Sequence, residues 1–597
     1  MCGLAAVFAY RPSAPPVDRA GLLLIREAMS ARGPDGEGLW VGGDGRAGLA
    51  HRRLAILDLS AAGAQPMATP DGSARIAFNG EIYNFRQLRR GLEAKGHRFH
   101  SDSDTEVLLR LYQEHGDGLV HHLRGMYAFA LWDERRQGLL LARDPLGIKP
   151  LYYADDGATI RAASQVKALL KGGGVDTRPE PAGHAGFHLW GHVPEPYTLY
   201  QGIRALPAGT TLWVDGAGRQ EPRRFFNLAD ELAKAAAAPA GDPGEAPARL
   251  RAALLDSVRH HLVADVPVGV FLSAGLDSTT LAALAVEAGA SRLRTITLGF
   301  KEFQGGVHDE TPLAGQIARH YGTDHQTRWV GKADFQDEYG RLLDAMDQPS
   351  IDGVNTYFVS KAAKEAGLTV ALSGLGGDEL FAGYPSFRHI PRMAGLSGPP
   401  WLGRGFRYCS APLLRHFTSP KYAGLLEYGG TYGGAYLLRR GLYMPWELPG
   451  LLGGDMARQG WDALQTLSRL EEAVQGIASP RLKVTALETA WYMRNQLLRD
   501  SDWASMAHSL ELRMPLVDVE LYRALAPLLV SASPPDKQAL AKSPETPPPE
   551  AVFRRAKTGF VAPIREWLQD TEARGGGERG LRGWARRLYS AMAETKT

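Results

Sequence analysis

VPVGVFLSAGLDSTTLAALAVEAG, residues 266–289, runs from an apolar segment through a glycine-bearing turn into a helix. The run Val266–Ser273 is apolar without alternation, the mark of a strand covered on both faces. The turn Ser273-Ala274-Gly275-Leu276-Asp277-Ser278 has the form S-x-G-x-D-S and delivers the N-terminus of the following helix. Backbone N–H groups and the positive end of a helix dipole attract anions there, and serine hydroxyls add donors. Pyrophosphate is the natural guest. A short Ser/Gly turn is common; its place between a buried strand and a helix gives it weight.

The flanking sequence repeats the pattern. LRAALLDSVRHHLVADV (250–266) is an amphipathic helix leading into the strand. LRTITLGF (293–300) pairs with TPLAGQIARHYG (311–322), and LTVALS (368–373) follows YFVSKAAKEAG (357–367). Such alternation predicts a doubly wound parallel sheet with its ligand at the carboxyl ends of the strands. Residues from about 385 to 530 read as helices, and the Pro-rich SPPDKQALAKSPETPPPEAV (533–552) precedes RRAKTGFVAPIREWL (554–568). The Gly-rich, basic end reads as a solvated tail closing in a surface helix.

Before residue 215 the grain differs. CGLAAVFAY, ARIAFNGEIYN, MYAFALWD and GLLLARD are short β-rich runs, with helices expected over Asp18–Ala31 and Ser103–Glu114. Ser103 with Glu106 reads as a capping box. This mixture predicts sheets with helices packed on them. DELAKAAAAPAGDPGEAPA (230–248) is Ala/Pro/Gly-biased without apolar periodicity and reads as a linker. The expected division is 1–215, a linker over 216–248, a second domain over 249–570, and a basic tail over 571–597.

Composition narrows the class. The chain has 597 residues, 44% hydrophobic and 22% charged, so more than one core is expected. Its 68 Lys and Arg against 65 Asp and Glu leave a formal charge of +3, which gives nucleic acid no electrostatic hold. The only cysteines are Cys2 and Cys409, which excludes a disulfide framework and suits a reducing cytoplasm. The apolar start is too short for a signal peptide, and no membrane span is indicated.

Cys2 follows Met1, and removal of Met1 would leave thiol and α-amine on one residue, a nucleophile with its own general base. With Cys2 go ARGPDGEG (31–38), AHRRLAILDLSAAGAQPM (50–67), FNGEIYN (78–84), SDSDTEV (101–107) and RDPLGIKPLYY (143–153). In that order they resemble the class II glutamine amidotransferase domain, an α+β N-terminal-nucleophile (Ntn) hydrolase of stacked antiparallel sheets. The resemblance implies that Arg53 pairs with the glutamine carboxylate, that Glu81 and Asp104 receive its amine, and that Asn79 and the Gly80 N–H form the oxyanion hole. Alone, Asn79-Gly80 reads as a type I′ hairpin turn.

The S-x-G-x-D-S turn resembles the PP-loop of ATP pyrophosphatases. With ALSGLGGDELFAGY (371–384), DSDWASMAHSLELRMPLVD (500–518) and RRAKTGFVAPI, it resembles the synthetase domain of glutamine-dependent asparagine synthetases. That likeness implies an α/β PP-loop ATP pyrophosphatase domain with extra helices. ATP would be held by Leu272, Ser273, Gly275, Asp277, Ser278, Leu298, Ser373, Gly374 and Arg499. Asp277 and Asp378 would hold Mg²⁺, and Lys557 would stabilise charge as an acyl-adenylate is attacked. One position departs from the family: between the glycines of SG-x-G, where the family is typically acidic, stands Leu375.

The resemblance implies a cytoplasmic carbon–nitrogen ligase that takes ammonia from glutamine and, with ATP, amidates aspartate through an acyl-adenylate. The alternative is the same mechanism on another carboxylate, a cell-envelope or secondary-metabolite intermediate, which Leu375 favours. A non-catalytic sensor of the same fold is a third reading, opposed by Cys2, Arg53, Asp277, Asp378 and Lys557. The partners are small molecules, glutamine, ATP and the acceptor, with neither nucleic acid nor membrane; a homodimer is compatible with the sequence.

Overall fold

The computed structural model describes residues 2–239, 241–290, 292–396, 403–409, 420–555, 562–564, 566–567 and 580–594. Its strands are β1 (Gly3–Ala9), β2 (Gly36–Val41), β3 (Ala47–Arg53), β4 (Met67–Ala68), β5 (Ala74–Ile82), β6 (Gly125–Asp133), β7 (Gly138–Arg143), β8 (Tyr152–Asp155), β9 (Thr159–Ala163), β10 (Arg204–Ala205), β11 (Thr210–Asp215), β12 (Gly218–Arg219), β13 (Arg223–Arg224), β14 (Val268–Phe271), β15 (Arg294–Phe300), β16 (Asp324–Val330), β17 (Val370–Leu372) and β18 (Glu511–Arg513).

Two antiparallel sheets build the first part, one in the order β10-β8-β9-β1-β3-β2 and one running β12-β11-β7-β6-β5-β4 with β13 on β11. Side chains alternate along each strand, so β1 serves two cores. Leu4, Ala6 and Phe8 meet Ala128, Ala130 and Leu141 of the second sheet. Ala5 and Val7 meet Leu22 and Ile25 of the helix Arg19–Glu27. On the far face of the second sheet Ile76, Phe78 and Phe129 pack with Val107, Leu108 and Leu111 of the helix Asp104–His115. Helices thus cover both outer faces of stacked sheets, the Ntn-hydrolase arrangement.

The expected helix over 18–31 is shorter, since Asp18 caps it through Ala20 N at 2.9 Å and a 3-10 turn follows at Ser30–Arg32. Ser103 caps its helix by accepting from Thr105 N at 3.2 Å. The capping box is not completed, because Glu106 accepts instead from the amides of His100 and Ser101.

The second part is a five-stranded parallel sheet in the order β16-β15-β14-β17-β18. The chain leaves β14 toward β15 and β16, then returns to add β17 and β18 on the other side. The order reverses between β14 and β17, where a doubly wound sheet opens its crevice.

Two segments differ from the sequence reading. Within 216–248, β12 and β13 pair with β11, and Leu228–Ala236 forms a helix. Leu228 and Leu232, four apart and so on one face, enter the largest core. In the tail, Leu581–Tyr589 is a helix whose Trp584 is 1% exposed, inside that core rather than on the surface. A short amphipathic helix and a basic surface helix share one composition; only the docking of Trp584 and Leu588 separates them. No helix among the described residues is long and apolar enough to cross a membrane.

Candidate active sites

Cys2 lies just ahead of β1, buried against β5. Its backbone nitrogen donates to Asn79 Oδ1 at 3.0 Å, and its Sγ lies 3.9 Å from the Leu54 carbonyl. Burial pushes the thiol pKa up. A neutral thiol needs a base before it can attack, and the nitrogen freed by loss of Met1 would sit on the same residue.

Asn79 and Gly80 lie inside β5, opposite Ala128 and Tyr127 of β6, so they are not a hairpin turn. Asn79 Nδ2 is buried and has no hydrogen-bond partner among the described residues. An orphaned buried donor is costly unless something arrives to use it, and an oxyanion would. Gly80 has φ +157°, and a Cβ there would lie 2.1 Å from the Met126 carbonyl oxygen.

Glu81 is the next residue of β5, and Asp104 opens its helix. Both are buried, and desolvation first, then the neighbouring Glu511, raises them: Glu81 well above its usual range, Asp104 to about 7. Asp104 Oδ2 accepts from Ile82 N at 2.9 Å. Carboxylates held uncomfortably in a buried cluster gain from an incoming ammonium. Arg53, at the end of β3, donates to the carbonyls of Ser60 at 2.8 Å, Leu57 at 3.4 Å and Asp58. It ties down the 57–60 loop, with its guanidinium engaged by backbone oxygens.

Sequence reasoning missed Arg513 and Glu511, which reach this cluster from β18 of the other domain. Arg513 is fully buried, ion-paired with Glu511 at 2.6 Å and 3.5 Å from Glu81. ELR looks like an ordinary strand, and no local pattern marks a contact between distant segments.

The second site opens at the switch between β14 and β17. Ser273 Oγ and Ser278 Oγ are 2.8 Å apart, the Ser273 amide donates to Ser278 Oγ at 3.1 Å, and Gly275 N donates to Ser273 Oγ at 3.1 Å. Leu272, Ser273, Gly275, Asp277, Ser278, Leu298, Ser373, Gly374 and Asp378 all line one cavity of about 1370 Å³. A Cβ at Gly377 would meet Asp277 Oδ1 at 2.5 Å, so glycine lets the two acidic turns approach. Trp190 and His192 of the first domain reach the same cavity.

Two expectations fall elsewhere. Arg499 is not on the cavity wall; its Nη1 donates to the Val193 carbonyl at 2.6 Å, so it braces the first domain. Lys557 lies outside the described residues.

Lys537, from the Pro-rich stretch, carries its ammonium between Asp277 and Asp378, 2.9 Å from the latter. A cation thus already stands where a metal was expected. Two hard carboxylate oxygens beside a phosphate turn fit Mg²⁺, which takes one or two carboxylates and completes its shell with phosphates and water. Among the described residues no group of three or more His, Cys, Asp or Glu forms a self-sufficient metal cage.

Leu375 also lines the cavity, and so does Glu379 four residues on. Desolvation, then the Asp378 charge, pushes Glu379 up to about 7, and Tyr384 OH donates to its Oε1 at 3.0 Å. A group titrating near neutrality can take up a proton.

Residues 1–226 match the family model of the glutamine amidotransferase domain, and residues 249–593 match that of asparagine synthase. The chain is 32% identical to asparagine synthetase [glutamine-hydrolyzing] 1 of Bacillus subtilis, covering 96% of this chain and 88% of that one. It is 33% identical to a putative asparagine synthetase [glutamine-hydrolyzing] of Mycobacterium bovis, over 96% and 89% of the two. Asparagine synthetase B [glutamine-hydrolyzing] of Escherichia coli is 33% identical over 66% of this chain and 67% of its own.

Proposed function

The chain belongs to the glutamine-hydrolysing asparagine synthetase family, and on that premise we propose a division of labour between its two sites. Cys2 attacks the glutamine side-chain amide, forming a γ-glutamyl thioester and releasing ammonia; water then frees glutamate. The Asn79 side chain and the Gly80 N–H take the oxyanion, Glu81 and Asp104 the substrate amine, and Arg53 its carboxylate. At the second site an acceptor carboxylate attacks the α-phosphorus of ATP, expelling pyrophosphate from the Ser273–Ser278 turn. Ammonia attacks the acyl carbon and AMP leaves.

Asp277 and Asp378 would hold Mg²⁺, which would neutralise charge on the phosphates. Lys557 would stabilise the attacked adenylate. The observation that carries this reading is the orphaned Asn79 donor beside Cys2, in a chain whose other domain opens a phosphate turn into a cavity.

The acceptor on this reading is aspartate, the carboxylate whose amidation would give the asparagine in the relatives' names. Leu375 supports a second reading, a different carboxylate, because it stands where the family is typically acidic, and a leucine leaves no group at that position to take the proton that attacking ammonia sheds. Glu379 fills that gap in either case. The domain borders near 215 and 249, a cytoplasmic setting and a homodimer belong to the same reading, the last tested by sedimentation. Pyrophosphate release with glutamine, ATP and a panel of carboxylates decides the acceptor. Strong dependence on aspartate supports the first reading; glutaminase activity without an aspartate response supports the second.

A further inference from the structure

Arg32, in the ARGPD stretch, is 2% exposed and works in two directions. Its Nε donates to the Cys2 carbonyl at 3.0 Å. Its Nη1 and Nη2 donate to the two carboxylate oxygens of Asp502 at 2.6 and 3.0 Å. Arg32 belongs to the glutaminase domain and Asp502 to the synthetase domain, on the helix Arg499–Met506. The preceding residues of that helix, Asp500 and Ser501, line the nucleotide cavity.

Residue 2 stands outside the β1 ladder, whose pairing begins at Gly3 opposite Arg52. Side chains therefore fix its backbone: Asn79 takes the nitrogen and Arg32 the carbonyl. The motif is pressed onto β3, since a Cβ at Gly33 would lie 2.3 Å from the Arg52 carbonyl carbon. A carboxylate gripping both terminal nitrogens sets the plane of a guanidinium, and here that plane aims Nε at Cys2.

We propose that Asp502, supplied by the synthetase domain, is a positioning residue for glutamine hydrolysis and acts through Arg32 to hold the backbone of Cys2. The inference rests on Cys2 being the nucleophile. Without the fork Arg32 can rotate off the carbonyl, and Cys2 keeps one anchor of two. Misplacing a reacting group by about 1 Å costs on the order of 100-fold in rate. The loss belongs in kcat, since none of these contacts is to glutamine.

The test uses the full chain with Asp502→Asn, Arg32→Lys and the double variant. Glutaminase kcat should fall about 10- to 100-fold in each single variant, with KM for glutamine within about threefold. The double variant should lie within about twofold of the worse single, because both act through one contact. Ammonia-driven pyrophosphate release should stay within about twofold of wild type. Arg32→Lys keeps the buried charge paired, so it reports even where Asp502→Asn does not fold. An unchanged kcat, losses that multiply in the double, or an equal fall in the ammonia-driven reaction overturns the proposal. Cys2→Ala separates the two ideas: if it still hydrolyses glutamine, the nucleophile assignment falls. If it is inactive while both single variants keep full kcat, only the role of Asp502 falls.

Discussion

Asn79 makes one use of its amide visible and leaves the other open: Oδ1 accepts from the Cys2 nitrogen while Nδ2 has no partner among the described residues. Asn79→Ala should cut glutamine turnover by roughly 100- to 1000-fold, the cost of one oxyanion donor, and leave the ammonia-driven reaction intact. Steady-state kinetics with each nitrogen source checks this. Glu379 gives a pH signature. Its pKa near 7 means the basic form grows as pH rises through neutrality, so amide formation should climb across that range. Glu379→Gln should flatten the climb. Cys2, Asn79 and Asp277 stand out in the sequence as candidates because each sits in a motif. Arg499 shows the limit: its motif predicts a phosphate contact, yet the side chain turns to Val193 because the helix presents that face to the other domain.

At the scale of elements, β5 carries three proposed site residues in a row, and its register with β6 leaves no room above Gly80. Gly80→Ala would press a methyl into the Met126 carbonyl and force the strands apart. Overpacking of this kind costs about 1–3 kcal/mol, and thermal unfolding should show it together with lost glutaminase. The strand–turn–helix at 266–289 was plain in the sequence, since an apolar run, a glycine turn and a helix each leave a local mark. Lys537 was not. Its helix, Lys537–Ala541, is five residues long among prolines, too short to show periodicity. The helix Leu228–Ala236 was hidden by its alanine run, because of its buried residues Leu228, Ala229 and Leu232 only the two leucines are large.

Across the whole molecule, the contacts that join the domains were the least legible. The Arg32–Asp502 pair spans 470 positions, and Glu81–Arg513 is similarly remote; only the folded chain brings them together. Burial also leaves a global pH mark. His51 is held neutral, its pKa lowered to about 3 chiefly by desolvation. Protonation is therefore easier in the unfolded chain. The stability tied to the neutral ring is complete above about pH 6.5 and drains as pH falls toward 3, by up to about 1.4 kcal/mol per pH unit. Relative to wild type, His51→Gln should gain in Tm as pH drops from 6.5 to 4; a constant difference would contradict this.

We propose that two separate sites share one reaction. Pyrophosphate release by Cys2→Ala, with ATP and aspartate, measured with glutamine and then with ammonium, tests it most directly. No response to glutamine is expected, with ammonium-driven release within about twofold of wild type. Loss of both together, or continued use of glutamine, would contradict it.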